Sequence, residues 1–291
     1  MKIVFDFHGG GSIKFMYTLH DASGKKSPDK EEYMEVITIG NNKGGVGKTM
    51  QCYQLTCHLA NKGHKVLVID LDSQANLSST FGVHIQRTLI PEWLIGDVEI
   101  EEILIPSEGV GEFHQNISII PSSRHLANLS KLLILSEGEI RRNAGRKERL
   151  LRTRLKAIDQ EMFDYVIIDT PPMLGDELIM SLVASNRILI PTQAQDYSID
   201  GLEELLDTFE IIKDSENPDL EFTIVPNLVN TRRKIEQQRL DELSQNFHIT
   251  PPIRNLVQMQ ESISTGLPVF MQSESSKGRQ DYEALWNSLN L

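Results

Sequence analysis

A glycine-rich segment between a predicted strand and a predicted helix constrains the fold more than any other feature of this sequence. Residues 43–49 read Lys-Gly-Gly-Val-Gly-Lys-Thr; they follow the β-branched run of residues 35–40 and precede a helix that we predict over residues 49–62. Glycines allow successive backbone N–H groups to turn toward one anion, and the helix N-terminus adds a partial positive charge. The segment therefore predicts a loop that binds the phosphates of a nucleotide, although the usual pattern would place glycine where Asn42 stands.

Apolar runs alternate with helix-like stretches along most of the chain. After residues 35–40, further runs lie at residues 65–70, 117–120, 165–169, 187–191 and 222–225. Such alternation predicts parallel strands joined by right-handed crossover helices. The predicted fold class is α/β: a mostly parallel twisted sheet with helices on both faces. We also predict helix over residues 131–160, which Gly138 and Gly145 interrupt, and a terminal helix over residues 281–289.

Residues 1–33 differ in pattern from the rest of the chain and are predicted to be an N-terminal extension. Two strand-like runs flank the glycines of residues 9–11, which favours a small β-hairpin, and residues 22–29 have the composition of a polar linker. Residues 34–291 are predicted to form the nucleotide-binding domain.

Composition limits the classes of partner. The formal net charge of −12 excludes a surface that is basic throughout, so any nucleic-acid contact must come from a local patch. The two cysteines, Cys52 and Cys57, lack a metal-binding spacing, and two cysteines in a chain of 291 residues do not make a disulfide framework, which favours a reducing cytoplasm. No apolar run approaches the roughly 20 residues that cross a bilayer, and the first residues lack the pattern of a signal peptide. We therefore expect a cytoplasmic protein without a membrane span.

Aspartates stand at the ends of two predicted strands. Asp70 and Asp72 follow one apolar run, and Asp169 ends another, just before Thr-Pro-Pro. Open α/β sheets bind ligands at the carboxyl ends of their strands, and carboxylates suit Mg²⁺. A single aspartate at a strand end is often only a helix cap. Both positions together predict a magnesium site beside the loop, where Lys48 can reach the β- and γ-phosphates and Thr49 can bind the metal.

Three motifs resemble those of the ParA/MinD-type ATPases. Residues 43–49 match the deviant Walker A box, and residues 68–74 resemble the Asp-x-Asp switch segment, with Ser73 in place of the usual proline. Residues 164–172 resemble Walker B with its Thr-Pro-Pro tail. The resemblance covers most of residues 34–289. It implies an ATPase that binds ATP and Mg²⁺ and forms a sandwich homodimer with ATP.

The resemblance implies a role for each matching residue. Lys43 falls on the signature lysine, which reaches the phosphates of the partner's nucleotide, and Asp72 orients the attacking water. Asp169 would hold Mg²⁺ through water, and Asp70 would support the magnesium shell. The predicted catalytic residues are Lys43, Lys48 and Asp72. The predicted metal site comprises Thr49, Asp70, Asp72 and Asp169. The predicted ATP-binding residues are Lys43, Gly44, Gly45, Val46, Gly47, Lys48, Thr49, Met50 and Asn227.

The base contact is the least constrained part of the predicted site. Asn227 follows the run of residues 222–225, where relatives contact the adenine, and Asn230 and Asn255 are the alternatives. Any of the three side chains could instead belong to a turn.

Two basic clusters are candidates for DNA contact. Partition ATPases of this family bind DNA without sequence preference as ATP dimers, which requires Lys and Arg against phosphates. One cluster follows Asn230, and the other lies within residues 141–156, where Glu148 is the only acidic residue. On a single helix, four of these residues would lie near one face: Arg142, Arg146, Arg149 and Lys156; a solvated helix face is the alternative. The predicted DNA-binding residues are Arg142, Arg146, Arg149, Arg232 and Arg233.

The resemblance implies ATP-dependent partition of a plasmid or chromosome. The predicted partners are a second copy of the chain, non-specific DNA and a ParB-like centromere-binding adaptor that stimulates hydrolysis. The predicted location is the cytoplasm, at the nucleoid. A ParA-like positioner of a protein cargo and a nucleotide-dependent switch with little turnover remain open.

Two other kinds of relative are disfavoured. A membrane-recruited ATPase would need a basic amphipathic C-terminal helix, and residues 282–289 carry no Lys or Arg. An iron-protein-like reductase would need cysteines that share a cluster between subunits. Cys52 and Cys57 lie too early for that role and are predicted to pack in the core.

Overall fold

The computed structural model describes residues 34–109, 111–193, 200–256, 261–262 and 265–291. The hairpin and linker predicted within residues 1–33 lie outside the described residues. The strands are β1 (Glu35–Ile39), β2 (Val66–Asp70), β3 (Ile105–Pro106), β4 (Ile117–Ile120), β5 (Tyr165–Asp169), β6 (Arg187–Gln193) and β7 (Glu221–Asn227). The helices are α1 (Lys48–Asn61), α2 (Asn76–Thr80), α3 (Ile90–Ile95), α4 (Ile100–Ile103), α5 (Leu129–Leu135), α6 (Glu137–Asn143), α7 (Leu150–Ala157), α8 (Asp176–Ala184), α9 (Asp200–Ser215), α10 (Lys234–Asn246) and α11 (Lys277–Leu289).

The strands form one sheet in the order β3-β4-β2-β5-β1-β6-β7. All neighbouring strands run parallel except β3, which pairs antiparallel with β4 at the edge. Every residue of β2 is buried, as expected of a strand whose two faces are both covered. The α/β class and the mostly parallel sheet are therefore confirmed.

Helices cover both faces of the sheet because successive side chains of each strand point in opposite directions. On one face, strand residues such as Ile37 and Val68 pack with α1 and α11. On the other face, Leu67 and Val166 pack with α3, α5, α6 and α7, and Ile188 packs with α8, α9 and α10. Cys52 and Cys57 of α1 are fully buried in the first of these cores, as predicted.

Residues 131–160, predicted to be helical with interruptions at Gly138 and Gly145, do form helices, but Gly138 lies inside one of them and does not interrupt it. The segment folds as α5, α6, a 3-10 turn over Lys147–Arg149, and α7. Gly145 has a φ of 75°, a left-handed conformation that ends α6. Leu133, Ile140 and Leu151 belong to one buried cluster, so the shorter helices bury apolar faces against one core. For the six predicted strands within the described residues, the predicted and observed ends differ by at most two residues. The short strand β3 was not predicted, because two residues show no pattern of apolar side chains.

Candidate nucleotide-binding site

The carboxyl ends of three adjacent strands meet where the glycine loop begins. In the parallel register, Asp169 of β5 lies opposite Ile39 of β1 on one side and opposite Asp70 of β2 on the other. The loop of residues 40–47 leaves β1 at this edge and leads directly into α1. The fold therefore brings the two strand-end aspartates beside the predicted phosphate loop, as open parallel sheets do at their ligand sites.

Side chains from neighbouring strand ends hold the loop. The Asn227 amide nitrogen donates to the Val46 carbonyl at 2.8 Å, and the Gln193 amide nitrogen donates to the Gly45 carbonyl at 2.7 Å. The buried Asn41 donates to the Pro191 carbonyl at 2.8 Å. Because the first two bonds engage carbonyls of the loop and the third ties the loop to β6, they hold a loop whose N–H groups can face an anion.

Gly47 and the start of α1 shape the phosphate end of the loop. Gly47 has a φ of 92°, and a Cβ there would lie 2.2 Å from the Asn227 amide nitrogen. Within the described residues no side chain caps this helix, so the first backbone N–H groups of α1 remain suited to a phosphate. The glycine pattern thus has the steric basis that the sequence predicts.

Lys48 is held inside the loop. Its side chain is almost fully buried, and its Nζ donates to the Lys43 carbonyl at 2.9 Å. Burial lowers the pKa of Lys48, and the negative charges of Asp169 and Asp72 partly oppose that effect. The ammonium group is a desolvated donor at the place where phosphates are predicted to bind.

Thr49 and Asp169 offer the ligands that suit a divalent cation. The Thr49 hydroxyl donates to Asp169 Oδ2 at 2.7 Å, and Asp169 Oδ1 is buried without a hydrogen-bond partner among the described residues. Burial, followed by the charge of Asp70, raises the pKa of Asp169 to about 8. A buried carboxylate oxygen without a partner is costly, and a cation beside it would remove that cost.

The carboxylates do not form a complete metal cage. In the described part of the chain, no three His, Cys, Asp or Glu side chains are grouped so that they could hold a metal ion. Mg²⁺ commonly takes only one or two protein carboxylates, with waters and substrate phosphates as its other ligands. Thr49 and Asp169 therefore fit a magnesium ion that binds together with a nucleotide.

The two aspartates of the switch segment have different surroundings. Asp72 is partly exposed, and its Oδ1 accepts from the Gln74 backbone N–H at 2.9 Å. Asp70 is fully buried and accepts hydrogen bonds from the Ser78 hydroxyl, the Ser78 N–H and the Asp72 N–H. Asp72 is thus the carboxylate that can face solvent and substrate, whereas Asp70 faces the protein.

The predicted base contacts occupy three different settings. Asn227 is buried beneath the loop, and the contact that the structure shows for it is the bond to Val46. Asn230 accepts from the Arg232 N–H at 3.1 Å, and the exposed Asn255 donates its backbone N–H to Val229. The adenine contact of Asn227 stays a prediction.

The basic residues of 141–156 do not share one helical face. Arg142 pairs with Glu139 on α6, whereas Arg146 and Arg149 both contact Glu216 at the end of α9, at 3.4 Å and 2.7 Å. These ion pairs neutralise part of the positive charge of this cluster, and the Glu216 side chain is only 6 % exposed. Pairing across 67 residues leaves no mark in a local sequence pattern.

The second cluster is more open. Arg232 is exposed, and Arg233 is 56 % exposed with a contact of 3.5 Å to Glu236. Both stand at the N-terminal end of α10, in the loop after β7.

The sequence analysis did not predict that Asn41 and Gln193 support the phosphate loop. A polar residue that follows or ends an apolar strand was an available signal.

The sequence matches a profile of the AAA domain family over residues 34–222. The chromosome partitioning protein ParA of Myxococcus xanthus is 33 % identical over 263 residues, which cover 87 % of each chain. The sporulation initiation inhibitor protein Soj of Bacillus subtilis is 31 % identical, over 85 % of this chain and 95 % of that protein.

Solved structures share the fold of this chain. A cobyrinic acid a,c-diamide synthase from Mycobacterium smegmatis, with bound ATP analogue and magnesium, has a TM-score of 0.71 and 26 % identity, over 88 % of this chain and 94 % of that chain. McdA of Cyanothece shares the fold, with a TM-score of 0.75 at 23 % identity, over 88 % of this chain and 100 % of that chain. No helix of the described residues is long and apolar enough to cross a membrane. The sequence motifs, the sheet and these relatives show that the chain belongs to the ParA/MinD superfamily, as a ParA-type ATPase.

Proposed function

We propose that this protein is an ATP-dependent DNA partition ATPase. ATP and Mg²⁺ bind at residues 43–50, the ATP-bound form is a dimer that holds DNA without sequence preference, and a ParB-like adaptor stimulates hydrolysis and so releases it. Two observations together carry the proposal. Lys48 is buried in a loop whose Gly45 and Gly47 have positive φ angles. Beside it, Thr49 bonds to Asp169, which keeps one buried carboxylate oxygen without a partner among the described residues.

Different residues of the site bind the phosphates, hold Mg²⁺ and orient the attacking water. Lys48 and the first N–H groups of α1 bind the phosphates, and Thr49 and Asp169 would hold Mg²⁺, which supplies positive charge to the phosphate oxygens. Asp72 orients the attacking water, because its carboxylate is partly exposed at the same sheet edge. Lys43, the match to the signature lysine, acts on the nucleotide of the partner subunit.

The DNA contact is proposed for the two arginine clusters. Arg232 and Arg233 are exposed, and Arg146 keeps 68 % of its side chain exposed although it contacts Glu216. Exposed guanidinium groups can pair with phosphates and release counterions, which gives binding without sequence preference. Relatives named as partition proteins support the proposal.

The test is binding of the purified protein to random-sequence DNA with ATP, with ADP and without nucleotide, each at two salt concentrations. We expect binding only with ATP, and weaker binding at the higher salt concentration. Lys48→Ala serves as the control, because loss of the phosphate-binding charge should remove the ATP effect. Equal binding with ADP, or no binding in any state, would contradict the proposal, and the second result would favour a nucleotide switch with another target.

A further inference from the structure

Asp70 is a buried carboxylate at the end of β2 to which the proposed function assigns no contact with nucleotide. Its side chain is fully buried. Oδ1 accepts from the Asp72 N–H at 3.1 Å, and Oδ2 accepts from the Ser78 N–H at 2.9 Å and from the Ser78 hydroxyl at 2.7 Å. One carboxylate therefore bonds both to Asp72 and to the helix α2, which follows the switch segment.

The bonds continue beyond Ser78. The Ser78 hydroxyl oxygen accepts from the Ser122 N–H at 3.0 Å, just after β4. At the other end of the segment, the Leu71 N–H donates to the Asp169 carbonyl at 2.9 Å. The segment that carries Asp72 is thus fixed to β5 at its start and, through Ser78, to β2 and β4 at its end.

The turn between these two anchors has little freedom of its own. The Ala75 N–H donates to the Asp72 carbonyl at 2.8 Å, and the Gln74 N–H donates to Asp72 Oδ1 at 2.9 Å. Ala75 has a φ of 54°, a left-handed conformation that is uncommon outside glycine. Residues in such conformations persist where the surrounding contacts over-determine them.

We propose that Asp70 is a positioning residue that acts through Asp72. Its carboxylate, with Ser78, fixes residues 71–78 so that the Asp72 carboxylate stays at the edge of the nucleotide site. A buried carboxylate is retained here because three hydrogen bonds to one acceptor group tie two elements together. The inference rests on the proposed function for the role of Asp72, but the fixing of the segment does not depend on nucleotide.

The first test compares Asp70→Asn, Ser78→Ala and the double variant in ATP turnover. Asp70→Asn should lower kcat by about 10- to 100-fold, as loss of a supporting hydrogen bond commonly does. Ser78→Ala should lower kcat by a smaller factor, and the double variant should be no slower than Asp70→Asn, because both changes break one network. KM for ATP and the Mg²⁺ concentration at half-maximal rate should stay within about 2-fold of the wild type. Ser79→Ala, an exposed serine on the same helix, is the matched control.

The second test needs no nucleotide. Amide hydrogen exchange in peptides covering residues 71–78 should be faster in Asp70→Asn and in Ser78→Ala than in the wild type and in Ser79→Ala. A raised Mg²⁺ requirement with unchanged exchange would place Asp70 in the magnesium site and overturn the inference, as would an unchanged kcat in Ser78→Ala. A wild type without turnover would contradict the proposed function instead, while the exchange rates would still decide whether Asp70 fixes the segment.

Discussion

Gly47 shows how one residue can carry both a backbone requirement and a contact requirement. Its φ is 92°, and a Cβ would meet Asn227, which holds the loop through Val46. Gly63, just after α1, also has a φ of 92°, but a Cβ there would meet nothing within 4 Å. Comparing substitutions at the two glycines therefore distinguishes backbone strain, which both positions share, from the contact with Asn227, which only Gly47 makes.

Gly47→Ala is expected to abolish ATP binding, whereas Gly63→Ala should keep it. Gly63→Ala should lose stability by about 1–2 kcal/mol, the cost of the left-handed conformation for a residue with a Cβ. Gly47→Ala should lose more, because its Cβ would also displace the Asn227 side chain. The measurements are the Kd for a fluorescent ATP analogue and urea unfolding. Normal ATP binding by Gly47→Ala would show that the loop does not need this geometry.

Asp169 predicts how the stability of the nucleotide-free protein depends on pH. Burial and the charge of Asp70 raise its pKa to about 8, above the roughly 3.9 of an unfolded aspartate. Between these values the native state holds the proton more tightly than the unfolded state, so the free energy of unfolding falls as pH rises. Stability should therefore be lower at pH 8 than at pH 5.

Asp169→Asn removes this titration while it keeps the size of the side chain. We expect the Tm without nucleotide to rise at pH 8, by roughly 2–4 °C for each kcal/mol gained. The slope of Tm against pH should become shallower, although Asp70, with a pKa raised to about 6 by burial, still contributes. A lower Tm at pH 8 would mean that the ionised carboxylate stabilises the fold even without a cation.

At the scale of elements, the break between α6 and α7 changes what the arginines can do. Arg146 and Arg149 meet at Glu216, a buried carboxylate just after α9, whereas Arg232 and Arg233 precede α10 in an exposed loop. The first pair therefore joins elements as well as presenting charge, whereas the ion pair that the described residues show for the second pair is the one between Arg233 and Glu236.

The matched double variants Arg146→Ala/Arg149→Ala and Arg232→Ala/Arg233→Ala each remove two positive charges. Both should weaken ATP-dependent DNA binding and flatten its dependence on salt, because fewer counterions are released. Both should also lower the unfolding temperature, since the first leaves Glu216 with fewer cations and the second removes the Arg233 contact from the buried Glu236. Unchanged DNA affinity and salt slope in either variant would remove that pair from the interface.

At the scale of the whole molecule, the sheet was predictable because its strands are buried on both faces and so form continuous apolar runs. The placement of the candidate phosphate loop was predictable: Gly47 adopts a positive φ, and Lys48 and Thr49 begin the helix that follows the loop. Long-range pairings were not predictable: Glu216 meets its arginines, and Ser78 meets Asp70 and Ser122, only after folding. Within residues 131–160 the break at Gly145 was predictable from the glycine, whereas Gly138 lies inside α6 and does not interrupt it.

ATP hydrolysis should determine how long the protein remains a dimer. Asp72→Ala is expected to bind ATP and remain a dimer, because the change removes the carboxylate that orients water and leaves the phosphate loop intact. Light scattering with ATP over time should show a lasting dimer for the variant and a declining one for the wild type. A variant that hydrolyses ATP at the wild-type rate would show that another carboxylate does this work.

The two buried cysteines have a practical consequence for experiments on this protein. Cys52 and Cys57 are the only cysteines of the chain, both are inaccessible, and burial raises the pKa of both thiols, so neither presents a reactive thiolate. The wild-type sequence is therefore a suitable background for site-specific labelling. A fluorophore on one cysteine introduced at an exposed position could follow assembly and release in real time without removal of the native thiols.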